Sequence, residues 1–154
     1  MAKQKFQIYL GADHGGFALK EELKTFLRKR GYIFHDLGNY VEDKDDDYPE
    51  FALRVAKSVM HEKGFGILLC RSGTGVAIVA NKFPGVRAVS AKSVKETEKA
   101  RQDEDANVLA IGADYVKPKD AKKIVKTFLL TQFSKKSRHV RRLKEIQAIE
   151  NTPK

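Results

Sequence analysis

The chain has 154 residues with ordinary proportions of apolar and charged residues, which is the size of one domain with its own hydrophobic core. It has no apolar run near the roughly 18–20 residues that cross a bilayer, so we expect no membrane span. It has one cysteine and no apolar segment that resembles a signal peptide, so we expect a cytoplasmic protein without a disulfide. The net charge of +10 lies almost entirely in residues 116–154, which hold twelve Lys/Arg against three Asp/Glu. The sequence shows neither zinc-finger spacing nor a basic motif with interleaved aromatic residues, so nucleic acid is not the expected partner.

Apolar runs alternate with amphipathic segments along the chain, which predicts alternating strands and helices. Strands are predicted at residues 6–12, 31–38, 65–70, 86–91 and 107–113. Helices are predicted at residues 17–30, 49–60, 75–84, 93–104, 119–131 and 134–149. Pro49 is placed to start the second helix, Ser93 is a predicted N-cap, and VEDKDDDYP is interpreted as a solvated acidic loop. This order predicts a single α/β domain with a five-stranded parallel sheet and helices on both faces.

The carboxyl ends of the predicted strands are where a ligand is expected, because open parallel sheets bind ligands at that edge. Asp13 and His14 follow the first strand, and the segment CRSGTG, residues 70–75, follows the third. Ala91 follows the fourth strand and residues 112–114 follow the fifth. The sequence therefore brings a carboxylate, an imidazole and a thiol to one edge of the sheet.

The segment CRSGTG has the composition of an anion-binding loop. Its glycines allow close approach of the backbone to a ligand, and amides at a helix start favour negative charge. The amides and Arg71 would both favour the thiolate of Cys70, which could then act as a base or nucleophile. The spacing is neither a Walker loop nor GxGxxG. A plain strand-to-helix turn with an inert, buried cysteine is the alternative.

The segment GADHGG places Asp13 and His14 beside that loop. The alternative is structural, with Asp13 as a helix N-cap and His14 facing solvent. The remaining histidines, at positions 35, 61 and 139, do not show metal-ligand spacing, and the GxSxG motif of serine hydrolases is absent. We expect no metal and no cofactor.

Several motifs in the same order resemble the type B ribose-5-phosphate isomerases, a family that includes galactose-6-phosphate isomerase subunits and an allose-6-phosphate isomerase. They are ADHGG, DYP, GILLCRSGTGVAIVANK, GVRAV, NVLAIGA and SRHVRRLKEI, which together cover roughly residues 5–150. The resemblance implies a Rossmann-like α/β/α fold with a C-terminal helix, a homodimer or tetramer, and metal-independent interconversion of an aldose phosphate and a ketose phosphate through a cis-enediolate.

The resemblance also implies roles for individual residues. Cys70 would be the base that moves a proton between C1 and C2, and Ser72 would assist it or bind a hydroxyl. The loop amides would stabilise the enediolate oxygen, and Asp13 and His14 would contact the sugar or its phosphate. The partner subunit's last helix would hold the phosphate through two arginines. The residues implied in binding are His14, Arg71, Gly73, Thr74, Gly75, Glu104, Arg138 and Arg142.

The sequence departs from the family at two places. Asp103 and Glu104 stand where the family has His-Asn, whose histidine opens the sugar ring, and Asp114 stands where many members have a phosphate-binding arginine. Three explanations remain open. Asp103 could take over ring opening, the substrate could be another pentose or hexose with or without a phosphate, or the chain could be an inactive or mixed-assembly subunit.

Two other functional classes remain as alternatives. The carboxylates at Asp103 and Asp114 would suit a non-catalytic sugar-phosphate-binding protein, because they weaken attraction for a phosphate. The basic C-terminal segment could bind polyanions at low salt.

Overall fold

A computed structural model describes residues 4–153; residues 1–3, part of the basic start of the chain, and residue 154 lie outside the described part. The strands are β1 (Gln7–Ala12), β2 (His35–Asp36), β3 (Gly64–Cys70), β4 (Ala88–Ser90) and β5 (Val108–Gly112). The helices are α1 (His14–Lys29), α2 (Tyr48–Glu62), α3 (Thr74–Ala80), α4 (Val94–Glu104), α5 (Pro118–Leu130) and α6 (Ser137–Glu150). Within residues 4–153, no helix combines the length and the apolar character that crossing a membrane requires.

The five strands form one sheet in the order β2-β1-β3-β5-β4, and every neighbouring pair is parallel. The predicted α/β class with a five-stranded parallel sheet is confirmed. Parallel neighbours need a crossover, which the intervening helices supply. As a result, the carboxyl ends of all five strands lie at one edge.

Alternate side chains of β3 enter two separate apolar cores, as the two-residue period of a strand requires. Ile67 and Leu69 pack on the face covered by α1 and α5, whereas Leu68 and Cys70 pack on the face covered by α2 and α3. The sheet is therefore covered on both sides. The helix that follows β1 and the helix that follows β3 lie on opposite faces.

Helix α1 begins at His14, three residues before the predicted start. Asp13 is the N-cap, and its Oδ1 accepts a hydrogen bond from Gly16 N at 3.1 Å. The capping role that the sequence left as an alternative is confirmed. Helix α6 likewise differs from its prediction, since it begins at Ser137 rather than at residue 134.

Strand β2 is much shorter than the predicted residues 31–38. It lies at the edge of the sheet and pairs only with β1. The apolar pattern that predicted the longer strand comes from Tyr32 and Phe34. These residues pack against the core under α1 and α5 and do not pair with β1. Beyond β2, Gly38 O still accepts from Ala12 N, and Asn39 N donates to Ala12 O, both at 2.8 Å. This pairing holds the start of the acidic loop against the end of β1.

A buried ion pair fastens β2 to α1. Lys20 is fully buried, and its Nζ lies 2.7 Å from Asp36 Oδ2. Lys24 Nζ contacts the same oxygen at 2.6 Å, and Asp36 Oδ1 accepts from Gly38 N at 3.0 Å. Burial alone would raise the pKa of Asp36, but the two ammonium groups and the Gly38 N–H outweigh it and hold that pKa below its ordinary value.

We predict that Asp36→Asn lowers the free energy of unfolding by about 3 kcal/mol at pH 7, because it leaves the Lys20 ammonium buried without its main counter-charge. Since the pKa of Asp36 is lowered by folding, its contribution is present at neutral pH and is lost as the pH falls. Denaturant unfolding at a series of pH values should show the difference from the parent protein shrinking below about pH 4.

The matched control is Asp120→Asn, which breaks an exposed pair with Lys123 and should cost less than about 0.5 kcal/mol. Equal effects of the two substitutions would contradict the assignment of stability to the buried pair.

Candidate active site

The crevice between the carboxyl ends of β1 and β3 is the topological switch point of the sheet, because the chain leaves these two strands toward opposite faces. Ala12 of β1 is in register with Leu69 of β3, so Asp13 and Cys70 follow at neighbouring positions. A Cβ at Gly16 would lie 2.5 Å from Leu69 O, so only glycine lets α1 approach β3 this closely. The structure thus brings Asp13 and Cys70 together as the sequence predicted.

Cys70 is a free, buried cysteine with 4% of its surface exposed, packed among the apolar residues under α2 and α3. Its Sγ nevertheless accepts a hydrogen bond from Gly73 N at 3.0 Å. A main-chain N–H pointing at sulfur favours negative charge there. The thiol therefore combines the burial of an apolar side chain with a donor suited to a thiolate.

The loop around Cys70 depends on Gly73. This residue has φ +78° and is the N-cap of α3, and a Cβ there would lie 2.8 Å from Gly112 N. Two of the five loop amides expected to face an oxyanion are already used within the loop: Gly73 N donates to Cys70 Sγ, and Thr74 N donates to Ser72 Oγ at 3.2 Å. An oxyanion role would therefore rest on the amides of Arg71, Ser72 and Gly75.

Beside the thiol loop, His14 forms an ion pair with Asp46. His14 Nδ1 lies 2.7 Å from Asp46 Oδ1, which also accepts from His14 N at 3.0 Å, while Asn39 Nδ2 donates to the other oxygen at 3.2 Å. The hydrogen bond that His14 Nδ1 donates to Asp46 raises the pKa of His14, with burial opposing the rise. Burial raises the pKa of Asp13, and its N-cap hydrogen bond opposes the rise. These environments prepare an imidazolium next to a carboxylate of increased basicity.

The side chains of Asp13, His14 and Asp46 offer ligand atoms that all lie within 4.8 Å of one another. However, Nδ1 of His14 and Oδ1 of Asp46 already satisfy each other, and Asp13 Oδ1 caps α1. Hydrogen bonds therefore account for the closeness of the three side chains, which form an ion pair beside a helix N-cap.

Arg71 and Asp114 neutralise each other at the rim of the crevice. Arg71 Nε lies 3.0 Å from Asp114 Oδ2, with both side chains largely exposed. An exposed pair of this kind contributes at most about 1 kcal/mol. The carboxylate that replaces the family's arginine thus meets a cation of the same chain, and the net charge of the pair is zero.

Within one chain, the predicted site residues of α4 and α6 lie at the amino edge of the sheet, opposite the thiol loop. Helix α4 starts after the carboxyl end of β4 and runs back to the amino end of β5, which carries Asp103 and Glu104 away from Cys70. Asp103 Oδ1 lies 3.8 Å from His139 Nδ1 on α6, and His139 Nε2 accepts from Arg138 Nε at 3.2 Å. One chain therefore does not assemble Asp103, Glu104, Arg138 and Arg142 with the thiol.

Sequence reasoning missed two residues of the crevice. The acidic loop was expected to be solvated, but the side chain of Asp46 is only 5% exposed, so that interpretation is wrong for this residue. Tyr48 enters the sequence analysis only as part of the DYP motif, yet its ring lies against the thiol loop, 2.7 Å from where a Cβ on Gly75 would be. Both residues precede Pro49 at the start of α2. The DYP motif, residues 47–49, contains Tyr48 and could have found it, whereas Asp46 lies one residue outside the motif.

The doubly wound fold, with acid–base side chains at its switch point, places the chain among the α/β proteins, a class whose ligands bind at this edge of the sheet. A sequence model of the ribose/galactose isomerase family matches residues 8–146. The chain belongs to this family.

Relatives of known name are similar over nearly their whole length. Ribose-5-phosphate isomerase B of Escherichia coli strain K12 is 41% identical over 145 residues, covering 94% of this chain and 96% of that protein. Ribose-5-phosphate isomerase B of Mycobacterium tuberculosis strain H37Rv is 38% identical, covering 95% and 91%.

Solved structures agree with this assignment. Ribose-5-phosphate isomerase B of Mycoplasma genitalium, determined with bound ribulose-5-phosphate, has a TM-score of 0.93 at 37% identity and covers 98% of this chain and 100% of that one. The Clostridium thermocellum enzyme has a TM-score of 0.89 at 40% identity and covers 94% and 97%. The resemblance read from the motifs is confirmed.

We predict that Gly73→Ala destabilises the protein by about 3 kcal/mol, since the left-handed backbone disfavours a side chain and its Cβ would crowd Gly112. Gly85→Ala is the matched control, because Gly85 has φ +77° with no atom within 4 Å of a Cβ. It should cost only about 1 kcal/mol. Denaturant unfolding measures both, and equal losses would contradict the crowding argument.

Proposed function

We propose that this protein is an aldose–ketose isomerase that interconverts ribose-5-phosphate and ribulose-5-phosphate through a cis-enediolate, without a metal or cofactor. The observation that carries the proposal is Cys70 Sγ at the end of β3, held by Gly73 N beside the loop amides. The names of the relatives and the ribulose-5-phosphate bound to the Mycoplasma genitalium enzyme support the choice of sugar. A single free cysteine suits a cytoplasmic enzyme.

The chemistry is a proton transfer without net oxidation. The Cys70 thiolate removes the proton from C2 of the open-chain aldose, electrons move onto the C1 carbonyl oxygen, and the amides of Arg71, Ser72 and Gly75 stabilise the enediolate. The proton of the C2 hydroxyl passes to O1 of the enediolate, and the thiol then returns its proton to C1 as the C2 oxyanion becomes the carbonyl. Ser72 lies two residues after Cys70 in the same loop, where its hydroxyl can bind a substrate oxygen.

We predict that Cys70→Ala lowers turnover about 10²–10⁴-fold, because it removes the base while the apolar packing around the site is largely kept. The measurement is exchange of the C1 and C2 protons of pentose and hexose sugars, with and without phosphate, in deuterated water. Thermal unfolding serves as the folding control.

Unchanged exchange in a folded Cys70→Ala protein would contradict the mechanism. Tight binding of a sugar phosphate to the parent protein without any exchange would instead favour a non-catalytic binding protein, the alternative that Asp103 and Asp114 suggest. Exchange with a sugar other than ribose-5-phosphate would correct the substrate and keep the mechanism.

The active form we propose is a homodimer, or a pair of dimers, in which the second copy supplies the phosphate-binding arginines. Arg138 and Arg142 are exposed and one helical turn apart on α6, so both guanidinium groups can reach one phosphate. Their distance from Cys70 within one chain supports a site shared between subunits. Asp103 would enter the site from the same partner subunit.

We predict complementation between inactive variants. Cys70→Ala and a double variant with Arg138→Ala and Arg142→Ala should each lose activity. When the two are refolded together, half of the dimers are mixed, and each mixed dimer has one site with both its cysteine and its arginines. The mixture should therefore regain about a quarter of parental activity. Each variant refolded alone is the control. Mixtures that stay inactive while forming mixed dimers would contradict a shared site.

A further inference from the structure

The imidazole of His14 has one nitrogen engaged and one available. Nδ1 is held by Asp46 at 2.7 Å, and no group among residues 4–153 hydrogen-bonds Nε2. One third of the side chain is exposed at the first position of α1, beside the thiol loop. A carboxylate on Nδ1 fixes the ring orientation and leaves Nε2 as the nitrogen that can act on a ligand.

Asp46 is itself fixed by the surrounding chain. Its side chain is 5% exposed and accepts from His14 N and from Asn39 Nδ2. Asn39 is held in turn by its backbone pairing with Ala12 at the end of β1. The carboxylate therefore belongs to a rigid edge of the crevice even though it lies in an acidic loop.

The charges that face His14 come from three elements. Asp46 and Asp13 raise the pKa of His14, and Arg71 of the thiol loop lowers it, with the hydrogen bond that His14 donates to Asp46 as the largest effect. Arg71 is itself paired with Asp114, which weakens its influence. Folding thus favours the protonated imidazole.

We propose that Asp46 is a positioning residue that keeps His14 protonated with Nε2–H directed at the substrate, and that His14 is the acid that opens the sugar ring. The proposal rests on the isomerase function above. It assigns to this chain's own imidazole the step for which Asp103, entering from the partner subunit, would offer only a carboxylate.

The step balances without another reactant. Nε2–H gives its proton to the ring oxygen as the bond between C1 and that oxygen breaks, and the C1 hydroxyl becomes the carbonyl by giving its proton to the Asp13 carboxylate. Burial raises the pKa of Asp13, which makes it a better base. Solvent then carries the proton from Asp13 back to His14.

The test uses the difference between a cyclic and an acyclic substrate. Ribose-5-phosphate is mostly a furanose and must be opened, whereas ribulose-5-phosphate cannot close into a five-membered ring because its C5 oxygen carries the phosphate. Conversion of ribose-5-phosphate therefore reports ring opening plus proton transfer. Deuterium exchange at C1 of ribulose-5-phosphate reports proton transfer alone.

We expect Asp46→Asn to slow ribose-5-phosphate conversion about 10- to 100-fold while ribulose-5-phosphate exchange stays within a few-fold of the parent protein. Because the acid works only while protonated, conversion falls as the pH rises through the His14 pKa. Removing the Asp46 charge lowers that pKa, so the falling limb should move to lower pH. Asp45→Asn, an exposed neighbour with the same charge change, should behave as the parent protein in both assays.

Three results would overturn the proposal: parental rates for Asp46→Asn in both assays, equal loss in both assays, or selective loss of ribose-5-phosphate conversion in Asp103→Asn but not in Asp46→Asn. His14→Gln carries the test if Asp46→Asn does not fold, with the same selective loss expected. Retained exchange in Cys70→Ala would instead refute the isomerase mechanism, so the two failures are distinguishable.

Discussion

β1 and β3 pair in parallel at the centre of the sheet, and the helices that follow them pack on opposite faces. A crevice opens between the two strand ends because neither helix can cover it. Three acid–base side chains of one chain gather at this point: the N-cap carboxylate of Asp13, the imidazole of His14 and the thiol of Cys70. Glycines at positions 16 and 73 make the close packing possible, since a side chain at either would meet backbone atoms.

Charge in the crevice is arranged in pairs. Asp46 meets His14 and Asp114 meets Arg71, so each of these two carboxylates has a cationic partner at the site. The two pairs differ in consequence. The pair at Arg71 is exposed and contributes little, whereas the side chain of Asp46 is buried and raises the pKa of its partner His14. Asp114, which the sequence suggested would oppose phosphate binding, is thus neutralised by Arg71, and Asp46 lies where it can prepare an acid.

The division of functional residues between two edges of the sheet follows from helix direction. In a parallel sheet each crossover helix returns to the amino edge, so residues late in α4 lie far from residues that follow a strand. Asp103 on α4 and the arginines of α6 therefore lie with His139 rather than with Cys70. A second copy of the chain is the simplest source of these groups for the crevice, which links the proposed activity to assembly.

The sequence by itself determined the fold class, the order of elements, the thiol loop and the family, because apolar periodicity, glycine placement and motif order are local properties of the chain. It overestimated β2, since Tyr32 and Phe34 bury their rings without joining a ladder. It also treated Asp46 as solvated, because a run of acidic residues looks the same whether or not one of them folds inward. Only the tertiary structure decided that Asp46 lies against His14, 32 residues away in the chain, and that two loop amides are used internally. Such contacts depend on the path of a loop through space, which residue spacing does not encode.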